Sequence, residues 1–248
     1  MGHHLGDTTA PALSKSPLHP VARMRSGCYG RRMKNRTPSR TVSEQAIRAL
    51  LDKHGCPTPL HEVRTRFLGS IASPDLSVSP LRVVEGLWGG ELPEFDSMDD
   101  ANALIGALVN GLWNDLAKHQ KRSQPFRLTR LPLAASEENL ALLAKVRRQE
   151  LEGFLEGLFH GRDRIELPER AHEALTHLGE LRAMMAGIED MFARGVVAES
   201  SAQLEDTYRN VRELTRIMET EMHEAVLSCT RARRQRLEGI SATRPTRH

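Results

Sequence analysis

The C-terminal part of the chain, residues 199–236, constrains the fold more than any other segment. Apolar or small residues recur in it every seven positions, at Leu204, Val211, Met218 and Ala225. A companion series follows at Tyr208, Thr215, Met222 and Cys229. This spacing predicts one helix of about 57 Å, part of which projects from a compact bundle. We call these two series the seam of the helix. Small and polar residues in the seam make it a weak coiled coil, so the seam either pairs with a second copy or packs on the protein's own helices.

Helix start signals precede amphipathic stretches throughout residues 43–195. Capping residues, or proline in the first turn, stand at Ser43, Thr58-Pro59, Ser79-Pro80, Ser97, Ser136 and Pro168. The apolar residues that follow each signal recur at helical spacing, whereas a strand would alternate. Aromatic residues, which sheets favour, make up only 4% of the chain. The sequence therefore predicts an all-α fold, an irregular multi-helix bundle with a long C-terminal helix and no sheet.

Charge is distributed unevenly along the chain. Residues 1–40 carry a net charge of +7 and residues 231–248 one of +5, which leaves −9 for residues 41–230. The first 40 residues are predicted to be a disordered basic segment. Their composition also fits a transit peptide or, alternatively, a misassigned start, in which case Met24 or Met33 would be the true first residue. We expect a helical domain over residues 41–196, the long helix over 197–236 and a disordered basic tail over 237–248. Within the domain, the basic linker 119–135 joins sub-groups 41–118 and 136–196.

Cysteine usage and hydropathy exclude several protein classes. The three cysteines, Cys28, Cys56 and Cys229, are far apart and form no Cys-x-x-Cys pair, so the sequence encodes neither a disulfide framework nor a zinc ribbon. No apolar run approaches the roughly 18 residues that a membrane-spanning helix needs. The N-terminus also lacks the apolar region of a secretion signal. We therefore expect a cytoplasmic protein that has no membrane partner.

The most unusual local sequence is Trp88-Gly89-Gly90-Glu91-Leu92-Pro93-Glu94-Phe95. Its two glycines permit positive φ angles and close backbone approach, and an aromatic anchor stands at either end. The segment is either a connection between helices whose aromatic side chains fill the core, or a groove for a peptide or protein partner. The candidate partner-binding residues are Trp88, Gly89, Gly90, Glu91 and Phe95.

Four arginines near the end of the long helix, Arg231, Arg233, Arg234 and Arg236, form a second candidate site. Cations suit the C-terminal end of a helix dipole, so the cluster fits a solvated helix end. The functional alternative is a set of phosphate contacts to nucleic acid, made together with the basic N-terminus. No aromatic residues are interleaved for stacking on bases, which disfavours specific recognition of single strands.

Two further motifs favour structure over chemistry. Glu169-x-x-His172 has the spacing of a di-iron ligand pair, but such a site needs a second copy of the motif, and the sequence contains none. Gly153, Gly157 and Gly161 are spaced by four, which allows close helix packing. They do not form a phosphate loop, because no strand precedes them and no Lys-Ser or Lys-Thr follows.

Two neighbouring parts of the chain carry a family resemblance. They are the stretch from Ser79-Pro80-Leu81 through Leu87-Trp88-Gly89-Gly90-Glu91-Leu92-Pro93-Glu94-Phe95-Asp96-Ser97 and the end of the following helix, Leu112-Trp113-Asn114-Asp115. Together they resemble the central motif of the YecA/YgfB-like family of bacterial proteins. Residues 152–157 resemble that family's second signature, and the resemblance spans about residues 58–195. It implies an all-helical cytoplasmic protein in a largely uncharacterised family not known for catalysis. YecA-type members end in a Cys-rich metal-binding module, whereas Cys229 is the only cysteine near this C-terminus, so no metal or cofactor is implied.

These observations together predict a non-enzymatic helical protein. It is expected to act as an interaction or regulatory factor by binding a protein partner, through its acidic body or its long helix. That helix also makes a homodimer one expected assembly. The alternative function is a nucleic-acid-associated regulator that uses the basic N- and C-terminal tails.

Overall fold

Helices make up all the regular structure in the computed structural model, which describes residues 43–132, 134–195 and 200–242. No strand occurs in these ranges, as predicted. The helices are α1 (Glu44–Lys53), α2 (Leu60–Ala72), α3 (Pro80–Glu85), α4 (Met98–Ile105), α5 (Asn114–Leu116), α6 (Glu137–Phe159), α7 (Glu169–Ala193) and α8 (Ser201–Ala242). The predicted disordered segment 1–40 and the end of the basic tail lie outside the described residues.

Helices α4 and α5 belong to one continuous rod, as the stripe after Ser97 predicts, but its middle is a π-helix over Gly106–Trp113. Four buried leucines lie along this rod at a spacing of four residues, at 104, 108, 112 and 116. Four residues make slightly more than one turn of an α-helix but slightly less than one turn of a π-helix. Combining the two geometries therefore keeps all four leucines facing the core.

Helix α2 crosses α6 at backbone contact. A Cβ atom at Gly157 would overlap the carbonyl oxygen of Arg66, and one at Gly153 would lie 2.7 Å from the carbonyl oxygen of Glu62. Gly69 on α2 is closed off in the same way by the backbone of α6. The spaced glycines therefore do allow close helix packing, although Gly161 follows the end of α6 with a φ of +71° and takes no part.

Helix α8 runs across the protein's own helices, mainly α7 and α2. Its buried residues include six of the predicted seam positions, Tyr208, Val211, Met218, Met222, Ala225 and Cys229. The seam thus follows the alternative in which it packs on the body. The helix begins at Ser201 and continues to Ala242, so the predicted end at Arg236 was too early.

Candidate functional site: an arginine-lined cleft

Residues 126–131, which the sequence placed in a basic linker, form a strap fixed to the helices. Phe126 and Leu128 are buried in the core. The backbone N–H of Leu128 donates to Oε1 of Glu219 on α8 at 3.0 Å. On the other side, Arg64 of α2 donates to the Thr129 hydroxyl at 3.2 Å. The segment still connects the two helical groups, as predicted for a linker, and these contacts fix it to the helices around it.

A buried ion pair on α6 holds the strap through hydrogen bonds to the backbone of Thr129. Arg147 is 4% exposed and Glu150 is fully buried, and their side chains meet at 2.5 Å between Nη1 and Oε2. The second carboxylate oxygen of Glu150 accepts from the Thr129 N–H at 2.7 Å, and Nη2 of Arg147 donates to the Thr129 carbonyl at 2.8 Å. Arg147 Nε also donates to the Thr215 hydroxyl at 3.1 Å. Each charge is therefore compensated, as burial requires.

A cleft of about 670 Å³ opens between the strap, α6 and α8. Its lining includes five arginines, which we call the arginine cleft: Arg127, Arg130, Arg147, Arg212 and Arg216. Glu219 is the only acidic residue in the lining, which contains no histidine or cysteine. The lining is therefore net positive, although residues 41–230 are acidic as a whole.

One face of α8 lines one side of the cleft. Tyr208, Arg212 and Arg216 are four residues apart and so lie in one row along the helix. The guanidinium carbon of Arg212 lies over the Tyr208 ring, 4.8 Å from its centre, and this cation–π contact steadies the arginine. Arg216 pairs with Glu213 at 2.6 Å.

The ion pairs leave part of the positive charge of the cleft uncompensated. Arg127 pairs with Glu219 at 2.5 Å, Arg147 with Glu150 and Arg216 with Glu213. Arg130 and Arg212 form no ion pair with any residue in the described ranges. Guanidinium groups offer planar, bidentate donors that match carboxylate and phosphate oxygens. The arrangement is suited to binding an anion.

The predicted partner residues around Trp88 form a packed connection between α3 and α4. The indole N–H of Trp88 donates to the carbonyl of His54 at 2.9 Å, and the Phe95 ring packs edge-on against the His54 ring at 5.2 Å. Gly89 and Gly90 have φ angles of +87° and +116°, and Glu91 is exposed. Both aromatic residues pack against the core, and a partner-binding role for this segment stays a prediction.

The four C-terminal arginines do not form one outward-facing cluster. Arg233 donates to the carbonyls of Ile71 at 2.8 Å and Ser73 at 3.4 Å, and to the side chain of Gln120 at 2.9 Å. Burial, with a smaller contribution from Arg234, lowers the pKa of Arg233. Arg236 pairs with Glu166 at 2.8 Å, whereas Arg231 and Arg234 are exposed. Arg233 therefore caps the end of α2, and its assignment as a nucleic-acid contact stays a prediction.

Replacing Arg233 by glutamine should lower the free energy of unfolding by about 1.5–3 kcal/mol, because the last carbonyls of α2 lose charged donors. Replacing the exposed Arg234 by glutamine is the matched control and should change stability by less than about 0.5 kcal/mol. Urea denaturation of both variants measures the difference. Equal effects from the two substitutions would show that Arg233 does not hold α8 against α2.

Potential metal ligands do not cluster in the part of the chain that the structure describes. No three His, Cys, Asp or Glu side chains come together as a metal site within the described residues, and His172 is exposed. Cys229 is fully buried, and this burial raises the pKa of its thiol to about 11, so the thiol stays protonated at neutral pH. Among the helices described, none is both long and apolar enough to cross a membrane.

Comparison with known proteins identifies no relative. No family model matches the chain, and neither the curated proteins nor the solved structures contain a significant match. The resemblance to the YecA/YgfB-like family therefore stays a prediction from the sequence motif.

Sequence reasoning missed the arginine cleft. The local signal was present in the row Tyr208, Arg212 and Arg216 and in the basic residues Arg127 and Arg130. The two groups are far apart in sequence, and no local rule brings the strap beside α8. Basic residues in a linker and on an exposed helix face are ordinarily solvated, so neither group stood out by itself.

Proposed function

We propose that the protein is a non-enzymatic binding protein that recognises an acidic segment of a partner protein in the arginine cleft. The observation that carries this proposal is the pair of arginines, Arg130 and Arg212, whose charge no described carboxylate balances. A volume of about 670 Å³ lies in the range of ligand sites. It accommodates a few side chains of an extended peptide.

The chemistry of the cleft supports binding over catalysis. Its only carboxylate, Glu219, is already engaged by the Leu128 N–H and by Arg127. The Thr215 hydroxyl accepts from Arg147 and donates to the Val211 carbonyl at 2.8 Å. The lining contains no nucleophilic side chain paired with a histidine or a free carboxylate as general base, which is the arrangement that hydrolysis through a covalent intermediate uses.

Charge distribution favours a short acidic segment over nucleic acid as the ligand. A duplex would extend beyond the cleft along a body whose residues 41–230 carry a net charge of −9. A segment of a few residues interacts mainly with charges inside the cleft, because salt screens more distant charges over about 8 Å. The exposed Arg231 and Arg234 keep the nucleic-acid function as the second candidate, now separate from the cleft.

Fluorescence anisotropy with labelled 12-residue peptides tests the proposal. We expect an Asp/Glu-rich peptide to bind and its Asn/Gln counterpart to bind at least tenfold more weakly. The Arg212→Glu variant should weaken binding of the acidic peptide at least tenfold, because it reverses an unbalanced charge in the cleft. Arg209→Glu makes the same charge change on an exposed α8 residue outside the lining, and should have little effect.

Two outcomes would overturn this function. One is equal binding of the acidic and neutral peptides. The other is an acidic-peptide affinity that Arg212→Glu leaves unchanged. A labelled DNA duplex, measured in parallel, should bind poorly. Tight, salt-sensitive duplex binding without peptide binding would instead support the nucleic-acid-associated regulator.

A further inference from the structure

We propose that the group bound in the arginine cleft is a phosphate monoester on the partner segment, held by Arg130 and Arg212. This inference rests on the proposed function and names the chemistry of its ligand. Phosphoserine, phosphothreonine and phosphotyrosine side chains are the forms in which a protein segment carries such a group.

Charge matching favours phosphate over a single carboxylate. Three of the five arginines are each paired with a glutamate, and two remain unbalanced. A phosphate monoester carries a charge of about −1.5 to −2 at neutral pH, which matches two guanidinium groups, whereas one carboxylate carries only −1. Phosphate also presents three acceptor oxygens, enough for two bidentate or shared arginine contacts.

The cleft holds part of this site in place before a ligand arrives. Tyr208 is 6% exposed, and the Arg212 guanidinium lies 4.8 Å over its ring. This contact uses the face of the ring and the guanidinium carbon, so it engages none of the five N–H donors of Arg212. Restricting a long side chain in the free protein lowers the entropy that binding must remove.

The buried Arg147 borders the cleft without adding unbalanced charge, because Glu150 compensates it. Its side chain has five N–H donors, and Glu150, the Thr129 carbonyl and the Thr215 hydroxyl each receive one hydrogen bond from it. These contacts fix the guanidinium at the base of the cleft. Arg127 and Arg216 also line the cleft and are exposed, and each is paired with a glutamate.

The pH dependence of binding distinguishes phosphate from carboxylate. The second phosphate pKa is about 6, so the dianion prevails at pH 7.5 and the monoanion at pH 5.5. Arginine keeps its charge over this range. Affinity for a phosphopeptide should therefore rise from pH 5.5 to 7.5, by at least threefold. Affinity for a peptide with glutamate at the same position should change less, since glutamate is ionised at both pH values.

The experiment uses the full chain and three labelled peptides that differ only in serine, phosphoserine or glutamate at the central position. Anisotropy at pH 7.5 should show the phosphoserine peptide binding at least tenfold more tightly than the glutamate peptide. Arg130→Gln and Arg212→Gln should each reduce this preference at least threefold, whereas Arg209→Gln should retain it. Circular dichroism of every variant verifies that the fold is intact.

The possible failures are distinguishable. If the glutamate and phosphoserine peptides bind equally well and Arg212→Gln weakens both, the phosphate inference fails while the proposed function stands. If none of the peptides binds, both fail. If Arg130→Gln and Arg212→Gln leave the phosphoserine preference unchanged, the site is wrongly assigned. Inorganic phosphate is the competing probe, and affinity equal to that of the phosphopeptide would overturn the assignment to a protein segment.

Discussion

Replacing Gly157 by alanine is expected to destabilise the protein by about 3 kcal/mol, as measured by urea denaturation. The new Cβ would overlap the carbonyl oxygen of Arg66 and lie 2.8 Å from its carbonyl carbon. These are backbone atoms of α2, so they cannot move aside as the end of a flexible side chain can. The two helices must separate, and such overpacking typically costs about 1–3 kcal/mol and sometimes more.

Gly179→Ala on α7 is the matched control for this result. No atom lies within 4 Å of a Cβ built at Gly179, and the residue is in the middle of the helix. Alanine there should raise stability by up to about 1 kcal/mol through its higher helix propensity. The two identical substitutions should therefore have opposite signs. A stabilising effect at Gly157 would show that α2 and α6 do not touch at this crossing.

The second large effect is expected for Glu150→Gln, which keeps the size of the side chain but removes its charge. Arg147 would remain buried without its ionic partner, and one oxygen that serves Nη1 or the Thr129 N–H would become an amide NH₂. Removing one partner of a buried pair typically costs about 3–5 kcal/mol. Hydrogen exchange at the Thr129 amide should also accelerate, because the strap loses an acceptor.

The control is Asp206→Asn, which removes the charge of an exposed pair with Arg209 on α8. Exposed pairs of this kind contribute under about 1 kcal/mol, so this variant should remain close to the original stability. The double variant Arg147→Met, Glu150→Leu should recover part of the loss, since it removes both charges together but leaves the Thr129 N–H and carbonyl without these partners. Similar effects from Glu150→Gln and Asp206→Asn would contradict the network under the strap.

Local sequence signals predicted the starts of several helices. The side chains of Ser43, Ser97 and Ser136 each accept a hydrogen bond from the backbone N–H three residues later. These contacts depend only on neighbouring residues, which is why a capping residue before an apolar stripe was sufficient to predict them. The helical spacing of the apolar residues is likewise a local signal, and it correctly predicted that the described ranges contain no strand.

Where an element meets a distant partner, the sequence left alternatives. The spaced glycines on α6 indicated close packing but could not identify α2 as the neighbour. The π-helix over Gly106–Trp113 keeps the leucines of this rod facing the core. The spacing of the leucines predicts a helix but does not reveal which type of helix the core requires. Arg233 was assigned to the surface because its partners, Ile71 and Gln120, are more than a hundred residues away.

By itself, the sequence determined that this protein is all-helical, with a C-terminal helix whose seven-residue seam has to be covered. Local propensities, caps and apolar spacing act within a few turns and are written in neighbouring residues. Only the tertiary structure decided that the seam is covered by the protein's own helices and that a basic linker is a strap beside α8. The arginine cleft arises from that meeting, because cationic side chains become a site only when the fold brings distant ones together and leaves some of their charge unbalanced.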